Sequence, residues 1–322
     1  MKRTIYRLCT GVLLLAFVAS CSTKNEDIVA PRAITADAVP AFNYYQYFNK
    51  PEPMIDVTAS PYRYTNGPTL YRYPYGLGAS VIPGGHPIYS FSPGYNPADG
   101  PTAGIWTPIA GPNGGGVVKL AVAFNDYRPT GGPSQKLYAV TDQNQLWSTS
   151  NATGEGWINY NIAATDVTAY YYNGFPVVYF LGTENVNGGH KIYRIDSGTT
   201  TPVEVLPGSA ATSIAVDQYA RLWAVNSLHE IFCNSTPLTG GSFFKLQGEA
   251  TDIACDSYTI AITGSRYLTY GYEVFVRDAT TPLTSFGWEL QQGEATQIGS
   301  NSNGDYFVTN SLNELFLANY RN

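Results

Sequence analysis

The chain has 322 residues and a formal charge of −6; only 13% of its residues are charged, yet it holds 26 Tyr, 32 Gly and 21 Pro. High aromatic content broken by Gly and Pro suits many short strands joined by turns. No amphipathic helix follows the first twenty residues, so a helical fold is excluded, and without a basic stripe nucleic acid is not an expected partner.

The first segment, MKRTIYRLCTGVLLLAFVASC, opens with Lys2, Arg3 and Arg7, continues with an apolar run too short to span a bilayer and ends on small residues before Cys21. That is the pattern of a secretory signal. FVASC resembles a bacterial lipobox, which implies that residues 1–20 are removed and that the Cys21 thiol is lipidated. Lys24, Glu26 and Asp27 look like the charged export signal that sends some Gram-negative lipoproteins to the outer face of the outer membrane. The expected location is therefore the outer membrane, held by the lipid alone and facing the exterior. Residues 21–40 lack a strand pattern and read as a flexible tether, leaving residues 41–322 as the folded domain. Residues 1–20 hold three basic groups and no acidic one, so their loss takes the charge from −6 to −9.

A repeat then runs along the chain. Its first strand recurs as MIDVTAS, VVKLAVA, ATDVTAY, ATSIAVD, ATDIACD and ATQIGSN, with matching apolar residues Val57, Leu120, Val167, Ile214, Ile253 and Ile298. Second strands follow as TLYRYP, KLYAVT, PVVYFLG, RLWAVN, TIAITG and DYFVTN. The third strands are PIYSF, QLWST, KIYRI, EIFCN, EVFVR and ELFLA. A fourth opens near Trp106, Trp157, Phe243 and Trp288. Six copies of four strands predict an all-β, six-bladed β-propeller. The last copy stops after its third strand. Trp157, Phe243 and Trp288 each stand ten positions before the next copy's apolar marker, and ten before Val57 stands Tyr47. Residues 42–49 are thus expected to complete the sixth blade and close the ring.

The run ATSIAVD…RLWAVNS…EIF…FKLQGEA is similar to the repeat of tectonin and tachylectin-type propellers, most closely in copies four to six. Copy five departs from the pattern, reading TIAITGS without the Trp. The resemblance implies a lectin-like recognition propeller that binds sugars or surface glycans.

Catalytic motifs are absent: there is no GxSxG, HExxH or paired Cys/His pattern. SNATGEGW matches a sialidase Asp-box at Ser150, Gly154 and Trp157, but Ala152 stands at the Asp position, and that box forms a turn rather than a catalytic site. Just before the third strand stand His86, Asn144, His190, His229, Tyr272 and Asn313, expected to ring one face. Ligands on separate blades cannot converge on one metal at about 2 Å, so neither metal nor cofactor is expected. These residues either satisfy turns with unusual backbone angles or contact a ligand lying across the face. SRYLTYGY adds Arg266, Tyr267 and Tyr270 on that face, next to the long loop expected at YRYPYGLGASVIPGGHP, while YYYNGF belongs on the opposite one. Of the four cysteines, Cys9 leaves with the signal. Cys233 and Cys255 remain, to pair in an oxidising envelope or to serve as small buried hydrophobes. The expected function is non-catalytic glycan recognition, with an envelope-protein scaffold as the alternative.

Overall fold

The computed structural model describes residues 44–46, 50–59, 74–93, 104–125, 134–172, 174–256, 258–300 and 305–319. The expected signal and tether, Cys21 and Tyr47 lie outside them.

Strand β1 (Tyr44–Gln46) comes first. Blade one holds β2 (Met54–Thr58), β3 (Tyr75–Gly78), β4 (Ile88–Pro93) and β5 (Gly104–Ile109). Blade two holds β6 (Lys119–Asn125), β7 (Ser134–Val140), β8 (Gln145–Thr149) and β9 (Ile158–Ala163). Blade three holds β10 (Asp166–Tyr172), β11 (Phe175–Val186), β12 (Gly189–Ile195) and a split outer strand, β13 (Val203–Glu204) and β14 (Ala210–Ala211). Blade four holds β15 (Ser213–Val216), β16 (Leu222–Val225), β17 (Glu230–Asn234) and β18 (Phe244–Glu249). Blade five holds β19 (Asp252–Cys255), β20 (Thr259–Tyr267), β21 (Tyr272–Asp278) and β22 (Glu289–Ala295). The sixth sheet has β23 (Gln297–Ser300), β24 (Asp305–Thr309) and β25 (Leu315–Asn319), and its fourth strand is β1. Tyr44 lies opposite Ala318 and Gln46 opposite Phe316. The chain is a six-bladed β-propeller.

The first strand of each copy lies innermost, against the first strands of its neighbours. Its marker residue is buried, and six buried clusters fill the six seams between adjacent blades. Each marker packs toward the preceding blade: Val57 joins Phe307 and Leu317, and Ile253 joins Trp223 and Ile231. Alternation along each strand dictates this, since a β-sheet buried on both sides must present apolar groups to both.

One strand departs from the sequence reading. Blade one's second strand is Tyr75–Gly78, in the segment expected to be a loop, and residues 69–73 of TLYRYP lie outside the described residues. Its glycines conceal it. A side chain at Gly76 would press on Met54 Sδ and the Trp106 ring at 3.1 Å, and one at Gly78 would collide with the Glu52 carboxylate. Close approach, rather than turn formation, selects Gly here.

The strands run alternately between two faces. The front face carries the turns from second to third strand and the links between blades; the back face carries the other turns.

Candidate functional site

The six front-face positions predicted from sequence share one backbone role. His86 and Val117 exchange hydrogen bonds at 2.8 and 2.9 Å; Asn144, His229 and Asn313 accept from Ala164, Ala250 and Met54 at 2.8–3.1 Å. His190 and Tyr272 pair with Ala211 and Ala295. In every blade this residue is therefore bonded where the outer strand ends and the next blade begins. Two classes alternate around the ring. Asn144, His229 and Asn313, in blades two, four and six, have φ of 57°, 63° and 56°, the left-handed turn conformation that the turn reading required. His86 and His190 follow glycine pairs, Gly84–Gly85 and Gly188–Gly189, which take the positive φ instead. The three histidines are thus not one set. Each long turn accepts from its short neighbour: Asp142 N–H to Gly84 O at 3.0 Å, Ser227 to Gly188 at 2.9 Å and Ser311 to Tyr270 at 2.7 Å. His86 Nδ1 bonds Ser80 O and His229 Nδ1 bonds Ala250 O, at 3.0 and 3.2 Å, whereas His190 Nδ1 is buried without a hydrogen-bond partner. Among the described residues no group of three or more His, Cys, Asp or Glu is placed to hold a metal.

Blade five extends this face. Strands β20 and β21 continue past a bulge to pair Tyr267 with Tyr272, and the turn 268–271 caps the hairpin. Tyr267 and Tyr270 are half exposed. The Tyr267 ring stands edge-on to Tyr272, with centroids 5.0 Å apart. Carboxylates surround the hairpin: Glu273 pairs with Arg266, Glu294 accepts from the Tyr270 backbone N–H, and Glu249 of blade four accepts from Ser265 Oγ at 2.5 Å. Arg266, Tyr267 and Tyr270 thus lie together on one hairpin.

Sequence reasoning missed the channel. One residue before each apolar marker stand Asp56, Lys119, Asp166, Ser213, Asp252 and Gln297, lining a central cavity of about 80 Å³. Acids occupy blades one, three and five, so the alternation seen in the turns recurs here. Asp166 accepts from Val167 N–H at 2.8 Å and, across the seam, from Ile214 N–H at 3.2 Å. Asp252 accepts from Ile253 N–H at 3.0 Å, Ser213 Oγ at 2.7 Å and Ile298 N–H at 3.2 Å, joining blades four, five and six. Lys119 Nζ reaches Gln297 Oε1 at 3.3 Å and stands 4.0 Å from Asp56 Oδ2. Burial pushes the carboxyls of Asp56 and Asp166 up to about 6 against the pull of Lys119. Burial also opposes charge on Lys119, but Asp56, Asp166 and Asp252 outweigh it and hold the ammonium above its usual value. The signal was present one position before each marker, hidden because the residue types differ.

Cys233 and Cys255 are free thiols in the cluster between blades four and five, so the possible disulfide is not formed. They act as small apolar groups beside Trp223 and Ile260. SNATGEGW forms a back-face turn in which Asn151 Oδ1 accepts from Thr153 N–H at 2.9 Å and Trp157 Nε1 bonds Ala110 O of blade one at 2.9 Å. Tyr172 and Phe175 pair at the back-face end of blade three's first two strands; both are exposed and Tyr170 is buried.

No protein-family model matches the sequence, and no curated protein resembles it closely enough to align. Similar solved structures include the α-L-arabinanase of Penicillium chrysogenum complexed with arabinobiose (TM-score 0.54, 10% identity, covering 87% of this chain and 98% of that one). U3-55K (0.51, 8%, 86% and 98%) and the WD40 repeats of RRP9 (0.50, 8%, 87% and 98%) are also similar. At such identities the likeness is one of fold.

Proposed function

We propose that this propeller is a non-catalytic recognition module that binds a glycan on its front face, in an outer-membrane lipoprotein anchored at Cys21 and facing the exterior. The blade-five hairpin carries the reading. Tyr267 and Tyr270 are half exposed and offer aromatic surface for a sugar's C–H face, and the nearby carboxylates of Glu249 and Glu294 can accept from hydroxyls. Binding sites of this kind combine an apolar platform with a few placed polar groups.

The channel argues against hydrolysis. Glycoside cleavage needs two carboxyl groups on either side of a sugar bond. Here the oxygens of Asp166 and Asp252 are engaged by backbone N–H groups of two blades. At about 80 Å³ the cavity is also well below the ~150 Å³ that admits a single benzene.

A second reading, a protein-interaction scaffold, is favoured by Val81, Leu228 and Leu312, which also stand exposed on the front face. A glycan array with the chain lacking its lipid separates the two. Binding that falls at least ~10-fold in Tyr267→Ala and Tyr270→Ala, the scale of one lost aromatic contact, supports the lectin reading. A negative across plant, host and microbial glycans moves the assignment to the scaffold.

A further inference from the structure

Two neighbouring blades set carboxylates against each other beside the aromatic hairpin. LQGEA in blade four and QQGEA in blade five each carry a glycine at positive φ, Gly248 at 109° and Gly293 at 106°, and the ladder there shifts register. The shift leaves Glu249 directly opposite Glu230, and Glu294 directly opposite Glu273. Like charges facing each other across a ladder destabilise it. The fold does not require them: blade two makes the same shift, with Asn161 at φ 55°, and sets Gln145 opposite Ala163. Each acid pair has a single cation, Lys245 on Glu230 at 2.6 Å and Arg266 on Glu273. Glu249 and Glu294 are left with one uncompensated charge each. Both lean on the hairpin, Glu249 accepting from Ser265 Oγ at 2.5 Å and Glu294 from the Tyr270 N–H.

This arrangement sorts ligands by charge. Among the described residues the other front-face cations are also engaged: Lys119 faces Asp56, Lys191 pairs with Glu184 at 2.9 Å, and Lys50 Nζ donates to Asn313 O at 2.9 Å. The channel mouth adds Asp166 and Asp252. An anionic ligand would therefore meet carboxylates and no unengaged cation. An ammonium meets the opposite conditions. Tyr267 and Tyr270 are half exposed on the hairpin, and a tyrosine ring attracts a cation through its quadrupole. The two spare carboxylates nearby accept its N–H donors in charge-assisted hydrogen bonds.

We infer that the ligand of this hairpin bears free amino groups and that Glu249 and Glu294 select for them. The inference rests on the glycan reading of the same hairpin and narrows it to amino sugars that are not N-acetylated. The test is titration calorimetry of the chain lacking its lipid, in slightly acidic buffer where amino sugars are protonated and at about 0.15 M salt, where long-range attraction is screened. The probes are oligomers of glucosamine, N-acetylglucosamine and galacturonic acid, and an oligolysine of the same length. The glucosamine oligomer should bind at least ~10-fold tighter than the other two sugars, at several-fold for each of two exposed ion pairs. Glu249→Gln with Glu294→Gln keeps an acceptor oxygen for Ser265 and Tyr270 but should abolish the preference. Asp142→Asn, on the exposed front turn of blade two, should leave it intact. Equal or tighter binding of the N-acetylated or acidic oligomer overturns the inference while the glycan reading stands. A preference that survives the double glutamine variant, or that Asp142→Asn also removes, overturns it as an effect of net charge. Oligolysine binding without any sugar overturns the glycan reading and leaves the selection for amines standing, and no binding of any probe overturns both.

Discussion

Asp252 touches three blades through two oxygens, and its removal strands three donors at once. Buried hydrogen bonds to a charged group contribute about 1.5–3 kcal/mol each, so Asp252→Ala should lower stability by roughly 3 kcal/mol or more in chemical denaturation. The acids at Asp56 and Asp166 act in the opposite sense. Their folded pKa of about 6 lies above the unfolded value near 3.8, so the folded state takes up protons first as pH falls. The propeller should therefore gain stability as pH falls from 7 toward 4, by up to roughly 2 kcal/mol for an acid that takes up its proton. Melting curves of the wild type against Asp56→Asn with Asp166→Asn check this, since the double variant should lose most of the rise. Burial pushes the Cys233 thiol up to about 12 and Cys255 well above its usual value. Both should resist thiol reagents until the protein unfolds, and reduction should leave the native mass unchanged.

At the level of elements, the short front-face turns are decided by backbone angle. His229→Gly and Asn313→Gly should leave stability within about 0.5 kcal/mol of the parent, whereas His229→Val and Asn313→Val should cost about 1–2 kcal/mol through the left-handed conformation. Loss of stability in the glycine variants would assign these side chains a role beyond the turn. Here the sequence was legible in one respect and opaque in another. Strand periodicity located the inner and third strands of all six blades, because each presents apolar groups at a fixed spacing. Grouping His86, His190 and His229 by type hid the two turn classes, because one class places its positive φ on preceding glycines. Gly76 and Gly78 hid β3 for a related reason: they are chosen for what packs against them. The channel ring was hardest to see, since Asp, Lys, Ser and Gln serve one position.

For the whole molecule, the β1–β25 pairing joins the two ends of the described chain without a covalent bond. Deleting residues 1–49 should expose the edge of β25, lower the melting temperature and produce self-association in size-exclusion chromatography. Gly299→Ala probes the seam between blades six and one, because a methyl there would meet Val57 O. It should destabilise without removing any hydrogen bond. The alternation of long and short turns, repeated in the alternation of channel acids, makes the ring three two-blade units. Each unit is tied across its front by one backbone bond from the short turn to the long one.

The orientation of β1 also decides how the ring bears force. A pull on the chain before Tyr44, resisted by a ligand held at the front turns, acts along the axis of β1 and parallel to β25. The ladder bonds between the two strands are then loaded together in shear, and none can yield before its neighbours share the strain. The clasp spans three residues, Tyr44–Gln46; the same pairing peeled from one end would open bond by bond.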